Sequence, residues 1–171
     1  KYILAAIKML MLTGCRTGEI LHLRWEQIDF QTQKMNLPDT KTGARSIHLS
    51  PASIDILHSL PLPRTEGYVF KSSIQDKKLT TLRHVWKKIC KLAGINDVRV
   101  HDLRHTYASY AVSKGYSLPV VSKMLGHADI STTQIYTHVA DSRLKTLVAE
   151  RHPSQSLLHA PSPQHPPDEA P

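Results

Sequence analysis

The chain has 171 residues, enough for one domain with its own core, and its 22 Lys and Arg against 14 Asp and Glu give a formal charge of +8. That excess favours a polyanionic partner and is silent on fold. Two cysteines, Cys15 and Cys90, inside apolar helical patterns and without framework or CxxC spacing, exclude a disulfide scaffold and predict a reduced, cytoplasmic protein. No apolar run approaches the ~18 residues of a membrane helix, so no membrane partner is expected.

Taken in chain order, Ile3, Ile7, Leu10 and Met11 keep a helical period that Gly14 closes. Thr17 can cap a short second helix carrying Ile20, Leu21 and Leu23. The period then changes to alternation. Trp25, Ile28 and Phe30 lead into a strand, Met35 and Leu37 mark a second, and Ile47 and Leu49 a third, with a turn at Thr42-Gly43. Ser50-Pro51 starts a helix bearing Ile54 and Leu57. Tyr68-Val69-Phe70 reads as a short extended run. An amphipathic helix follows, with Leu82, Val85, Trp86, Ile89 and Leu92 on one face and Gly94 at its end.

Three further helices are predicted, over His101–Lys114, Ser117–Leu125 and Ser131–Thr137, with a last one over 141–151 carrying Leu144, Leu147 and Val148. From His152 onward six of the twenty residues are proline, a composition that predicts a disordered tail over 152–171. Residues 1–151 read as one domain of a longer protein.

The polar residues that stand out come in boxes: TGCRTGE with Arg16, TKTG with Lys41, HDLRHT with His101 and Arg104, and LGHADISTTQIYTH with His127 and Tyr136. A phenol can hold phosphorus covalently once a neighbour shares its proton, since free phenol ionises near pH ~10. Guanidiniums offer planar paired donors to phosphate oxygens that gather charge in a transition state. Glu19, three residues beyond Arg16, falls on the same helical face and can brace it. A turn lysine such as Lys41 is ordinarily a solvated charge, and Arg45 is a second cation close by. His101 and His105 stand four apart, as in an HExxH zinc pair. Asp102 replaces the glutamate and no third ligand is evident, so no metal is expected and His105 is read as packing or hydrogen-bonding behind Arg104.

These boxes, in this order, resemble the catalytic domain of tyrosine recombinases of the phage-integrase type over residues from about 1 to 145. The resemblance implies a mainly α fold with a small three-stranded antiparallel sheet on one side. It implies cleavage and rejoining of duplex DNA through a 3′-phosphotyrosine on Tyr136, with Arg16 and Arg104 clamping the phosphate. His127 donates to a phosphate oxygen, and His101 hydrogen-bonds the phosphate or shares the tyrosine proton. Lys41 protonates the departing 5′ oxygen. No cofactor and no ATP are implied. The partners implied are double-stranded DNA and other protomers in a DNA-assembled tetramer, onto which the helix after the nucleophile docks. A separate N-terminal DNA-binding domain belongs to the family pattern and is missing from this stretch of sequence. Two rival readings stay open: a topoisomerase-like strand transferase, and a DNA-binding module that has kept the fold without the chemistry.

Overall fold

Seven α-helices, two 3-10 segments and three short strands follow one another in the computed structural model, which describes residues 1–38, 43–61, 65–72 and 77–151. Lys41, the Thr42 side of the predicted turn and the 152–171 tail lie outside the described residues. Helix α1 (Tyr2–Thr13) buries Ala5, Ala6, Ile7, Met9 and Leu10. Its buried face is rotated from the predicted one, because Met9 is fully buried while Met11 is 53% exposed. Gly14 ends the helix at φ 63 and returns its N–H to the Leu10 carbonyl at 3.0 Å. Cys15 lies in the link to α2 (Thr17–Leu21), not in a helix as the sequence suggested. Burial pushes its thiol up to about 11, so it stays protonated.

A 3-10 turn at Trp25–Gln27 leads into strands β1 (Ile28–Asp29), β2 (Lys34–Leu37) and β3 (Arg45–His48). They form one antiparallel sheet in the order β1-β2-β3, with Ile28 opposite Met35, Met35 opposite Ile47 and Leu37 opposite Arg45. The alternation puts Met35 and Leu37 into the core. Leu49, expected in the third strand, falls just past it, yet stays buried and donates its N–H to Gln33 at 2.8 Å. Helix α3 (Pro51–His58) starts as predicted, with the Ser50 hydroxyl accepting from the Ser53 N–H. The Tyr68–Phe70 run is held by single pairings: Arg24 bridges Tyr68, and Val69 donates to Leu23.

Helix α4 (Arg83–Leu92) lays Val85, Trp86 and Ile89 against this core. Leu92, counted on that face from sequence, is the last residue of α4 and is 79% exposed. Helices α5 (Asp102–Ser113) and α6 (Leu118–Leu125), a 3-10 helix at Ile130–Tyr136 and α7 (Thr137–Arg151) complete the chain. The last helix begins four residues earlier than expected, directly after Tyr136. The fold is therefore mainly helical with a small three-stranded antiparallel sheet.

The apolar residues gather in two clusters. The larger runs from α1 through the sheet, α3 and α4 to Leu103 at the start of α5. The smaller comprises Ala108, Ala111, Val112, Val121, Leu125 and Tyr136. Helix α5 belongs to both, and Arg104 sits on it at the seam.

Candidate active site at the seam between the cores

The C-terminus of α6 organises the site. Gly126 takes φ 68, and the His127 N–H bonds back to the Ser122 carbonyl at 3.0 Å. The carbonyls of residues 124, 125 and 126 each accept one arginine. Arg45 Nη1 donates to Met124 at 3.0 Å, Arg104 Nη2 to Leu125 at 2.9 Å, and Arg16 Nη2 to Gly126 at 3.2 Å. Helix C-terminal carbonyls carry partial negative charge, which lets three like charges meet at one end. Glu19 supplies the rest. Its carboxylate accepts from Arg16 Nη1 at 3.1 Å and from Arg45 Nη2 at 2.8 Å, and also from the Arg16 N–H at 2.7 Å. Gly126 is needed twice over, since a Cβ there would lie 2.6 Å from the Arg45 guanidinium besides straining its φ.

Arg104 is 5% exposed and also donates through Nη1 to the Gly14 carbonyl at 2.8 Å. It thus ties the end of α1 to the end of α6. Burial, then the nearby Arg16, brings it down to about 10, so it remains charged at neutral pH. Two of its five N–H donors are used by these bonds, which leaves a guanidinium able to meet an anion.

The imidazoles differ. His101 stands at the N-cap of α5 and is exposed; burial of part of its ring and the neighbouring His105 and Arg104 hold it below its ordinary value. His127 is pulled down to about 4, by burial first and then by Arg104, Arg16 and Arg45. It is therefore neutral at pH ~7, and its Nδ1 shares a hydrogen bond of 2.8 Å with Thr133 Oγ1. Thr133 is fully buried, and Asp129 starts the segment by accepting from the Ser131 N–H at 2.8 Å. Both residues lie within the LGHADISTTQIY box, where the sequence reading gave them no part.

Tyr136 closes its 3-10 helix and is 3% exposed. Burial raises its phenol above the ordinary 10, with Arg104 acting partly against it. Its hydroxyl meets His105 Nδ1 at 2.7 Å. This corrects the expectation for His105, whose Nδ1 hydrogen bond goes to the tyrosine and not to Arg104, its neighbour on α5. Among the described residues no group of three His, Cys, Asp or Glu side chains could share an ion.

Of the residues singled out in the sequence, Arg16, Glu19, His101, Arg104, His127 and Tyr136 are thus brought into one neighbourhood, while Lys41 lies outside the described residues. Arg45 was read as a rival cation on the hairpin. Instead it is built in, with both terminal nitrogens bound and its Nε buried without a partner among the described residues.

Comparison with known proteins agrees with the fold. A model described as the phage integrase family matches residues 1–143. The chain is similar to tyrosine recombinase XerA of Saccharolobus solfataricus, 34% identical over 133 residues that cover 78% of this chain and 44% of the relative. It is similar to tyrosine recombinase XerD of Vibrio cholerae, 34% identical over 160 residues covering 87% and 53%. The chain spans about half the length of the curated relatives it matches. Among solved structures, XerA recombinase aligns with a TM-score of 0.71 at 28% identity, covering 89% of this chain and 57% of that one. The catalytic domain of bacteriophage HP1 integrase gives 0.63 at 25% identity, covering 88% and 83%. With the family matched over all but its last residues and every seam residue inside the match, the chain belongs to the phage integrase family.

Proposed function

We propose that this chain is the catalytic domain of a site-specific recombinase that cleaves and rejoins duplex DNA through a phosphotyrosine on Tyr136. The observation that carries the reading is the gathering of the Tyr136 hydroxyl, the Arg16 and Arg104 guanidiniums and three imidazoles around the seam. Tyr136 Oη attacks phosphorus and the bond to the 5′ oxygen breaks, leaving a 3′-phosphotyrosine and a 5′ hydroxyl. Attack by a 5′ hydroxyl from another strand reverses the step. Arg16 and Arg104 stabilise the non-bridging oxygens, which gain charge in the transition state. Neutral His127 donates from Nε2 to one of them, and exposed His101 donates to the phosphate at the mouth of the site.

Glu19 holds Arg16 and Arg45 in place and does not touch the substrate. With Arg45 committed to Glu19 and the Met124 carbonyl, Lys41 is the hairpin cation assigned to protonate the departing 5′ oxygen. Side-chain cations supply the positive charge, and the phosphotyrosine keeps the energy of the broken bond, so neither metal nor ATP enters this scheme. The partners are double-stranded DNA and further protomers in a DNA-assembled tetramer, at work in the cytoplasm. The basic side of α4, with exposed Arg83, Lys87 and Lys91, offers the phosphate contacts.

Incubation with a nicked suicide duplex tests the reading. The parent chain gives a slow-migrating covalent band, and Tyr136→Phe gives none while binding DNA nearly as well, since only one oxygen is lost. A covalent band that survives in the Phe variant sinks the assignment of the nucleophile. A parent chain that binds duplex and never forms the band is a binding module.

A further inference from the structure

We propose that Arg45 is a positioning residue that sets the aim of Arg16 on the phosphate without itself touching the substrate. The inference rests on the reading of Arg16 as a clamp and adds the side chain by which the sheet holds that clamp. Arg45 opens β3 opposite Leu37, the last residue of β2, so its backbone belongs to the sheet. Its side chain ends against the last turn of α6, where Nη1 donates to the Met124 carbonyl at 3.0 Å. The guanidinium thereby joins sheet and site.

Arg16 needs such support. It lies in the link between α1 and α2, and its side chain is 29% exposed against 13% for Arg45. Among the described residues its guanidinium has two acceptors, Glu19 Oε1 at 3.1 Å and the Gly126 carbonyl at 3.2 Å. Arg45 lies against both. Its Nη2 donates to Glu19 Oε2 at 2.8 Å, which keeps the carboxylate from turning both oxygens onto Arg16. Its guanidinium also fills the space over Gly126, where a Cβ would lie 2.6 Å from Nη1.

Withdrawing that planar fork frees the carboxylate and the turn after α6 together. Arg16 then keeps its charge and loses its direction. Arg104 is held otherwise, by the Gly14 and Leu125 carbonyls, so the loss of Arg45 falls first on Arg16.

Single-turnover adduct formation on the nicked suicide duplex, at saturating DNA, tests this with the full chain. Arg45→Gln should slow cleavage by ~10²-fold, the scale of a misplaced catalytic group. A methylphosphonate at the scissile position carries a neutral methyl group in place of one charged oxygen and asks less of a cation. It should shrink the Arg45→Gln and Arg16→Ala defects alike. Because that comparison is a ratio of rate constants on one preparation, partial unfolding does not mimic it. The double variant Arg16→Ala, Arg45→Gln should be no slower than Arg16→Ala alone. Arg45→Lys keeps the charge but lacks the fork, and should stay well below the parent rate. Defects that add in the double variant overturn the proposal, since Arg45 would then act on the phosphate by its own charge. Arg45→Lys cleaving at the parent rate overturns it too, as does an Arg45→Gln defect that the methylphosphonate leaves intact. An Arg16→Ala variant as fast as the parent defeats the reading of Arg16 as a clamp, and the proposal with it.

Discussion

The two cores of this domain are built on opposite terms. The larger, around α1, the sheet, α3 and α4, is closed by apolar side chains such as Met9, Leu23, Met35, Leu57 and Phe70, all fully buried or nearly so. The smaller has six buried members, one of which is the residue assigned the chemistry. Between them the packing is polar: three arginines, a glutamate and the last carbonyls of α6. The large core can tolerate no charge and needs no substrate, whereas the seam holds charge in place by hydrogen bonds to a helix end. The seam's cations are thus tied to one another through shared acceptors, as the proposed stabilisation of charged phosphate oxygens calls for.

Separate substitutions in the two regions should therefore fail differently. Leu57→Ala empties part of the large core and should lower unfolding free energy by about 2–5 kcal/mol, with an unchanged cleavage rate per folded molecule. Glu19→Gln keeps the shape of a side chain that is 8% exposed but withdraws the charge shared by Arg16 and Arg45. A loss of about 1–3 kcal/mol is expected there, together with a slower cleavage step, because Arg16 loses its brace. Denaturant titration and single-turnover cleavage on both variants check the contrast. Equal cleavage defects in the two would mean that the seam is no more special than the core.

Much of this layout was legible in the residues. Period changes separated helices from strands, Gly14, Gly94 and Gly126 marked helix ends, and the boxes around Arg16, Arg104, His127 and Tyr136 named residues that the fold brings to one seam. What stayed hidden depends on tertiary direction. Whether Met9 or Met11 faces inward is decided by what α1 packs against, and the local pattern allows either. Arg45 read only as a second cation near Lys41, because nothing near it in sequence tells that α6 will end beside it, 79 residues away. His105 was assigned to the wrong neighbour for the same reason: its partner lies 31 residues on. Gly126 was visible as a stop signal, but not as the space an arginine needs.

The depressed value of His127 gives the seam a pH signature. Its folded value is about 4 against an ordinary 6.5. Between those limits the unfolded chain binds a proton that the folded chain refuses, so this contribution is fully present above about 6.5 and is lost as pH falls through the folded value near 4. The lowered His101 acts in the same sense. The lowered carboxylates Glu26, Asp29, Asp102 and Asp129 act further down, below their ordinary 4.5 and 3.8. Denaturant midpoints at pH about 7 and about 5 should differ more for the parent than for His127→Gln, which cannot take the proton. An identical acid loss in both would place His127 away from the arginines.

The smallest expected effect lies on the large-core side, where binding and chemistry should come apart. Helix α4 rests its apolar side on that core and leaves Arg83, Lys87 and Lys91 exposed at spacings of four, along one stripe. A phosphate contact supplies affinity by releasing counterions, so it weakens with salt and carries no sequence information. Lys87→Ala should then weaken binding about equally for every duplex tried and lower the steepness of the salt dependence by about one contact. Because Lys87 touches neither the seam nor Tyr136, its cleavage rate at saturating DNA should match the parent's. Binding titrations at several salt concentrations, followed by single-turnover cleavage, separate the two quantities. A variant with unchanged affinity and salt slope would move the duplex off α4. A variant that binds normally yet cleaves slowly would show that the two halves of the domain are coupled more tightly than their separate cores imply.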